Sequence, residues 1–226
     1  MLSPANCSGV RARMVLNERA EFDLACRLRA PGGAPLGEVF SFMSGLYFRG
    51  KLAYARAFAE PGAGLEGALG GGILVIVPGA GLWPADRPVT PSELRAFARV
   101  NVSGGNLRHC RPLLAAATAL AARLGAEGDV VLLGSIASEK YVETLAPVFG
   151  ERLLFPLDFV GRGDMSRGGL LLRRVAERRE LEYAPVVGSV RRGVRPPKLV
   201  PLPPAGASPP FRDRPVRPVR PTPNPP

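Results

Sequence analysis

The sequence has little of what disulfide-bonded, metal-binding and membrane proteins need, with three cysteines and one histidine among 226 residues. The cysteines, Cys7, Cys26 and Cys110, are widely spaced and form no CxxC pair. That spacing argues against a disulfide framework or a zinc site and favours a reducing cytoplasm. No stretch approaches the roughly 18 apolar residues of a membrane helix, and no secretory leader precedes the first motif. We therefore expect a cytoplasmic protein without metal, cofactor or membrane partner.

Lysine is scarce as well, occurring only as Lys51, Lys140 and Lys198, although the net charge is +11. Eight basic residues and one acidic residue lie from Ser189 onward, a net charge of +7, which leaves +4 for the region before it. Arginine, alanine, glycine and proline abound, a bias that suggests a GC-rich genome and inflates arginine without functional demand. The charge therefore permits a groove that follows phosphates but does not establish one.

Short apolar runs alternate with helical patterns through most of the chain. Between Asp129 and Arg167 the order is strand, turn, helix, strand, turn, helix, which is typical of parallel α/β units. We predict a mixed, largely parallel sheet flanked by helices in a domain of residues 1–188. From Ser189 onward proline is frequent and no apolar period survives, so residues 189–226 are predicted to be a disordered, basic, proline-rich tail.

The local patterns also predict individual elements along the chain. In the first half they are a helix Asn17–Arg29, a loop Ala30–Pro35, an extended segment Phe40–Met43, a helix Gly50–Ala59, a flexible loop Pro61–Gly72 and a buried strand Ile73–Val77. In the second half they are a helix to Arg99 with a capping box at Thr90 and Glu93, a loop Asn101–Asn106, a helix Pro112–Leu124, strands Val130–Leu133 and Leu153–Phe159, a helix from about Ser166 to Arg178 and an edge strand Leu181–Val187.

Polar side chains gather where the predicted strands end, which is where open α/β sheets place their ligand sites. The turn from Gly134 to Ser138 leads into a helix, so its backbone N–H groups would form an anion site. Lys140 and Tyr141 follow in the first turn of that helix. The next turn brings Arg162 and Arg167 to the same edge. The sequence thus predicts a place and an anionic ligand.

Two other features are weaker candidates for a site. Gly79 and Gly81 follow a buried strand and could let a ligand approach the backbone, or could simply form a turn. They are no dinucleotide fingerprint, because the third glycine and the following helix are missing. His109 adjoins Cys110, but adjacent residues rarely face one another, so a catalytic cysteine–histidine pair is disfavoured.

Four segments resemble motifs of the YaaA-like family of peroxide-stress proteins, and they occur in the family's order. They are Leu2–Asn6, similar to an opening "SPAK" turn with asparagine in place of lysine; Phe42–Leu52, similar to an F-x-G-x-x-Y-x-G-L segment with shifted spacing; Ile136–Tyr141, similar to "LAS-x-E-Y" with one extra residue; and Gly161–Arg167, similar to "ARG-x-MSR". A fifth segment, Gly81–Asp86, is similar to a "GLLRP-D" loop, which also resembles a loop in domains attached to tRNA base-modifying enzymes.

The resemblance covers most of residues 1–188 and implies an α/β fold, a cytoplasmic protein and a positively charged cleft associated with DNA and oxidative stress. Family members carry a helical insertion, used as a DNA-binding hairpin, between the first helix and the F-x-G segment. Only Ala30–Leu36 fills that interval here. This departure makes DNA binding the least secure part of what the resemblance implies.

The leading hypothesis is a YaaA-like protein whose basic cleft binds nucleic acid or a phosphate-bearing nucleotide in oxidative-stress protection. One alternative is an enzyme acting on a nucleoside or nucleobase, of glycosidase or base-transferase type, for which Asp158, Asp164 and Glu139 are the nearby carboxylates. Another is a scaffold that binds partners through its tail. The proposed ligand-binding residues are Ser3, Asn6, Gly45, Tyr47, Arg49, Gly79, Gly81, Ser135, Ser138, Lys140, Tyr141, Arg162, Gly163, Ser166 and Arg167.

Overall fold

The structure, a computed structural model, describes residues 1–61, 71–136 and 139–199. In these residues the α-helices are α1 (Val10–Val15), α2 (Asp23–Arg29), α3 (Leu36–Ser44), α4 (Leu46–Phe58), α5 (Pro91–Ala98), α6 (Leu107–Leu124), α7 (Glu139–Phe149) and α8 (Asp164–Glu177). The strands are β1 (Ala34–Pro35), β2 (Leu74–Val77), β3 (Gly81–Pro84), β4 (Pro88–Val89), β5 (Val130–Val131), β6 (Leu153–Pro156) and β7 (Tyr183–Pro185). Single 3₁₀ turns occupy Gly150–Arg152 and Leu157–Phe159.

The strands form small mixed sheets rather than one parallel sheet. Strands β2 and β3 form an antiparallel hairpin, β1 pairs antiparallel with β4, and β6 pairs antiparallel with β7. Within the described chain the strand pair β5–β6 is parallel. The predicted mixed α/β class is therefore confirmed, whereas the largely parallel sheet is not supported. The hairpin at Val77–Gly81 explains the difference, because a tight turn returns the chain antiparallel where a crossover helix would keep it parallel.

Leu2 connects the β2–β3 hairpin to the β5–β6–β7 sheet. Its N–H donates to the Leu74 oxygen at 2.8 Å, and its oxygen accepts from the Ile76 N–H at 2.9 Å. On the other side the Ser3 N–H donates to the Leu133 oxygen at 3.2 Å, and Leu2 forms parallel bridges to both neighbours. Because Leu2 is fully buried between these strands, the residues that follow it emerge at the shared sheet edge.

Helix α3 replaces the extended segment predicted at Phe40–Met43, and that prediction is wrong. Leu36, Val39, Phe40 and Met43 are all buried, and their spacing of three and four residues places them on one helical face. Gly45 ends the helix with φ +67° and ψ −129°, and α4 starts at Leu46 rather than at the predicted Gly50. The periodicity of the buried residues decides for a helix.

Most other local predictions hold, with shifted boundaries. Strand β2 is fully buried, as predicted. At α5 the Thr90 N–H donates to the Glu93 carboxylate at 2.8 Å, and the Thr90 hydroxyl accepts from the Glu93 N–H, which confirms the capping box. Helix α6 starts earlier than predicted because the Asn106 side chain accepts the Arg108 N–H and caps it. Helix α2 starts only at Asp23.

The described part of the C-terminal region has no regular secondary structure between residues 189 and 199. The Val194 carbonyl oxygen lies directly against Gly161, where a Cβ atom would otherwise be, and Leu199 packs against the core. Residues 200–226, most of the predicted tail, and residues 62–70, most of the predicted flexible loop, lie outside the described residues. None of the helices in the described ranges is long and apolar enough to cross a membrane.

Helices α4 and α8 cross with their backbones nearly in contact. A Cβ atom added to Gly50 would lie 2.7 Å from the Gly168 oxygen. One added to Gly168 would lie 2.8 Å from the Leu46 oxygen and 2.8 Å from the Tyr47 Cα. The two glycines therefore set the distance between the helices, and the first turns of both helices meet close to the residues that follow Leu2.

Candidate functional site

A polar cleft with a volume of about 910 Å³ opens where several elements end together. Its walls come from the segment after Leu2, the first turn of α4, the loop after α5, the segment after β5 and the start of α8. The sheet edge and the α4–α8 crossing thus converge on one concave surface, which is the usual form of a small-molecule site.

Six of the fifteen predicted ligand-binding residues line this cleft, although they come from four separate segments. They are Ser3, Asn6, Tyr47, Ser135, Lys140 and Tyr141. The parallel bridge between Leu2 and Leu133 explains why Ser3 and Asn6 lie near Ser135, because the residues that follow both bridge partners leave the sheet at one edge. Tyr47 reaches the cleft from the first turn of α4. Ser138 lies outside the described residues.

Arg162, Ser166 and Gly163 stabilise the turn before α8 and do not line the cleft. The Arg162 Nε donates to the Asp158 oxygen at 2.9 Å, and its Nη1 donates to the Ser166 hydroxyl at 3.4 Å. Gly163 is the N-cap residue of α8. The Arg162 and Ser166 side chains are therefore engaged within the turn that the sequence predicted.

Arg167 lies beneath the cleft rather than in it. Its side chain is 6% exposed, and its Nε and Nη2 donate to the Phe159 oxygen at 3.3 and 3.0 Å. A third nitrogen, Nη1, lies 3.7 Å from the Asp164 carboxylate. The guanidinium group fastens α8 to the preceding turn, so it is not available as the exposed charge partner that the sequence suggested.

The remaining predicted residues are glycines in turns or side chains that lie outside the cleft. Gly45 lies against the Arg11 guanidinium, and Arg49 is exposed in a separate groove. Gly79 and Gly81 have positive φ angles in the β2–β3 hairpin, where Gly81 packs against the Pro112 oxygen of α6. Of the two roles predicted for Gly79 and Gly81, the structure shows the turn, and neither glycine lines the cleft.

Lys51 belongs to the site although it is not among the predicted ligand-binding residues. It is 1% exposed, and its Nζ donates to the Ser3 carbonyl oxygen at 2.6 Å and to the Ser3 Oγ at 2.8 Å. The same atom lies 4.5 Å from the Tyr47 ring centroid and 4.8 Å from that of Phe48. The available signal was its position four residues after Tyr47, which puts both on one face of α4.

Burial dominates the protonation of Lys51. Desolvation lowers its pKa to about 7, opposed by the Asp164 carboxylate and reinforced by the Arg167 guanidinium. No carboxylate lies within ion-pair distance of Lys51 in the part of the chain that the structure describes. An amine at this position therefore has a substantial neutral fraction near physiological pH, which is unusual for lysine.

The two tyrosines of the cleft are buried and remain protonated. Burial raises the pKa of Tyr47 to about 12 and raises that of Tyr141 further. Behind Tyr141 lies His109, with 6.3 Å between the ring centroids. His109 is fully buried, burial lowers its pKa, and neither ring nitrogen has a partner among the described residues. The Cys110 thiol donates to the Gly104 oxygen instead, so the two residues form no catalytic pair.

One of the two aspartates considered as acid–base groups reaches the cleft. Asp164 lines it from the first turn of α8, with a side chain that is 67% exposed. Asp158 lies 3.7 Å from the Arg174 guanidinium, outside the cleft. Of these two carboxylates, Asp164 alone is placed to meet a ligand.

Two exposed cations mark the mouth of the cleft. Arg99 follows the end of α5, and Lys140 lies in the first turn of α7, with the amide of Asn101 on the same lining. Neither cation has an ion-pair partner among the residues described. We call Ser3, Tyr47 and Lys51 the cleft floor, and Arg99, Asn101 and Lys140 the cleft rim. Arg99 is not among the predicted site residues, because its sequence context indicates only the end of a helix.

The described residues contain no group of three or more histidine, cysteine, aspartate or glutamate side chains that could hold a metal ion. No protein-family model matches the chain, and no curated protein or solved structure matches it either. Function therefore has to be inferred from the chemistry of the cleft.

Proposed function

We propose that the cleft binds a small phosphate-bearing nucleotide, with the phosphate at the cleft rim. The observation that carries this proposal is the pair of exposed cations, Arg99 and Lys140, on the lining of an otherwise polar cleft. Cations without carboxylate partners attract anions and contribute charge-assisted hydrogen bonds to phosphate oxygens. The YaaA-like resemblance, which implies a positively charged cleft and a role in oxidative-stress protection, supports the same kind of ligand.

Size favours a nucleotide over a nucleic-acid duplex. Ligand pockets for small molecules occupy roughly 300–1,000 Å³, and the cleft measures about 910 Å³. In place of the family's DNA-binding insertion, the chain has a short turn and the two-residue strand β1 between α2 and α3. A single nucleotide, free or at the end of a strand, therefore suits this cleft better than a duplex groove.

The uncharged polar groups of the cleft lining suit the sugar and base. Ser3, Asn6, Ser135 and Asn101 supply hydroxyl and amide groups that can donate or accept hydrogen bonds. The Asn6 side chain already accepts from the Ser8 N–H at 3.0 Å, which orients its amide group. Such groups fix orientation, whereas the rim cations supply the attraction.

Isothermal titration calorimetry with nucleoside monophosphates, matched nucleosides and a short single strand tests the proposal. Arg99→Ala/Lys140→Ala should weaken binding of the monophosphates at least about tenfold, because each charge-assisted hydrogen bond contributes about 1.5–3 kcal/mol. The matched control is Arg95→Ala/Arg123→Ala, which removes the same charge from exposed positions outside the cleft lining. Equal loss in both double variants, or no binding by the unmodified chain, would contradict a rim site.

Asp164 favours a second candidate function, an enzyme acting on a nucleoside or nucleobase. Its carboxylate lines the same cleft and could serve as the acid or base that glycosidic chemistry needs. Incubation with a panel of nucleosides and mass detection of free base tests this, with Asp164→Asn as the variant that should lose turnover. Absence of turnover across the panel would remove this candidate and leave the binding proposal intact.

A further inference from the structure

A serine hydroxyl in the cleft is hydrogen-bonded to a buried amine. The Ser3 Oγ and the Lys51 Nζ are 2.8 Å apart. Ser3 lines the cleft, whereas Lys51 lies beneath it with 1% of its surface exposed. Ser3 is 6% exposed and forms part of the cleft wall, and its partner is shielded from water.

The hydrogen bonds of Lys51 fit a neutral amine. A neutral amine has two N–H groups and one lone pair. One N–H donates to the Ser3 carbonyl oxygen at 2.6 Å, and the aromatic rings of Tyr47 and Phe48 cover the amine on other sides. The lone pair can then accept the Ser3 hydroxyl proton, which is the arrangement of a nucleophile and its general base.

Burial without a carboxylate partner favours the neutral form of Lys51, against the two aromatic faces, which favour a cation. In the described ranges no carboxylate pairs with Lys51, and an unpaired buried charge is strongly destabilising. Two charged groups act on it: the Arg167 guanidinium lowers its pKa together with burial, whereas the Asp164 carboxylate raises it. The Met1 amino group also interacts with Lys51, but burial lowers its pKa to about 5, so it adds no positive charge at pH 7. Burial is the largest of these effects, and the balance favours loss of the lysine proton.

Gly134 packs closely against Ser3. A Cβ atom on Gly134 would lie 3.0 Å from the Ser3 Cβ and 3.2 Å from the Ser3 Oγ. Glycine at this position therefore lets the chain after β5 lie against Ser3 without crowding its hydroxyl.

We infer that Ser3 and Lys51 form a nucleophile–base pair that transfers or hydrolyses the acyl group of carboxylic esters. Lysine is an established base for serine nucleophiles on several unrelated folds. The cationic rim suits an ester that also carries an anionic group. The inference uses the same cleft as the proposed function, but it does not require the ligand to be a nucleotide.

The steps balance with water as the co-reactant. The Ser3 Oγ attacks the ester carbon while its proton passes to the Lys51 Nζ, and the carbonyl π electrons move onto oxygen. The carbonyl re-forms, the ester C–O bond breaks, and the departing alkoxide takes the proton from Lys51. Lys51 then takes a proton from water, whose oxygen attacks the acyl-serine. The acid is released, and the Ser3 Oγ regains its proton from Lys51.

The test uses the full chain and two small probes, p-nitrophenyl acetate and a fluorophosphonate, which carry neither a nucleobase nor an ionised phosphate. We expect a burst of nitrophenolate and a single fluorophosphonate adduct mapped to Ser3 by peptide mass spectrometry. Ser3→Ala should abolish the adduct, and Ser92→Ala, which removes an α5 serine outside the cleft lining, should keep it. Lys51→Met should slow labelling about 100-fold or more, in the range of general-base effects.

The pH profile distinguishes a base from a merely structural lysine. Labelling of the unmodified chain should rise with pH and level off above about 7, the pKa of Lys51, and Lys51→Met should lose this rise. If that variant fails to fold, as judged by circular dichroism, the profile of the unmodified chain decides. No adduct at Ser3, or labelling without a rise near pH 7, overturns the inference. Nucleotide binding without labelling would overturn it while leaving the proposed function standing.

Discussion

The cleft floor and the cleft rim each contain a lysine, and the two lysines differ in solvent exposure and in their contacts. Lys140 of the rim is exposed to solvent. Lys51 of the floor is buried by the α4–α8 crossing, and burial lowers its pKa to about 7. The same side chain is thus an anion-attracting cation in one place and a potential base in the other.

Packing, rather than residue type, produces this difference. The floor depends on Gly50 and Gly168, which let two helix backbones approach closely enough to exclude water from Lys51. The rim depends on nothing comparable, because Arg99 and Lys140 stand in solvent at helix ends. Variants that disturb packing should therefore affect the floor strongly and the rim weakly.

The largest effect is expected from Gly168→Ala. The new Cβ would lie 2.8 Å from the Leu46 oxygen and the Tyr47 Cα, which are backbone atoms and cannot move aside. We expect the free energy of unfolding in urea to fall by about 2–3 kcal/mol. The matched control is Gly169→Ala, whose Cβ would meet only the Leu199 Cδ1 at 3.6 Å. That change should raise stability by about 0.5–1 kcal/mol, and equal effects would refute close helix contact.

A smaller effect is expected from Lys51→Met, and it depends on pH. Because the folded pKa is about 7 and the ordinary value is 10.5, the unfolded chain binds one more proton between these values. The contribution of Lys51 to stability is therefore complete above about pH 10.5 and is lost as pH falls to about 7. From pH 7 to pH 9 the unmodified chain should gain about 2 kcal/mol more than the methionine variant.

Urea unfolding of both proteins at the two pH values measures this difference. The Met1 amino group and the Cys7 thiol, whose pKa values burial lowers and raises respectively, titrate in both proteins, so their contributions cancel in the comparison. Parallel pH dependence of the two proteins would mean that Lys51 stays charged in the folded state, and the floor would then resemble the rim.

The smallest effect on stability is expected at the rim. Arg99→Ala and Lys140→Ala should each change the free energy of unfolding by no more than about 0.5 kcal/mol, because neither exposed side chain has an ion-pair partner among the described residues. Thermal and urea unfolding measure this directly. A loss of 1 kcal/mol or more would show that the rim is structural, and weaker nucleotide binding by these variants would then lose its simple interpretation.

The parts of the fold that rest on short-range chemistry were predictable. The capping box at Thr90 and Glu93, the buried strand β2 and the turn before α8 all follow from residues within a few positions of one another. The extended segment predicted at Phe40–Met43 is wrong because the apolar residues around it recur at helical spacing. The largely parallel sheet could not be tested from the sequence, because glycines at the end of β2 predict a turn but not the direction of the strand that follows.

The amino-acid sequence by itself determined where polar turns lie and which residues they carry. Of the fifteen residues predicted to bind a ligand, the structure brings six to one cleft. Only the tertiary structure decided that Arg167 is buried and bonded to Phe159, that Arg99 belongs to the cleft, and that Lys51 lies beneath Ser3. The physical reason is desolvation. The pKa of a lysine depends on how much water its surroundings exclude, and at Lys51 that is decided by a glycine contact between helices more than 100 residues apart in the chain.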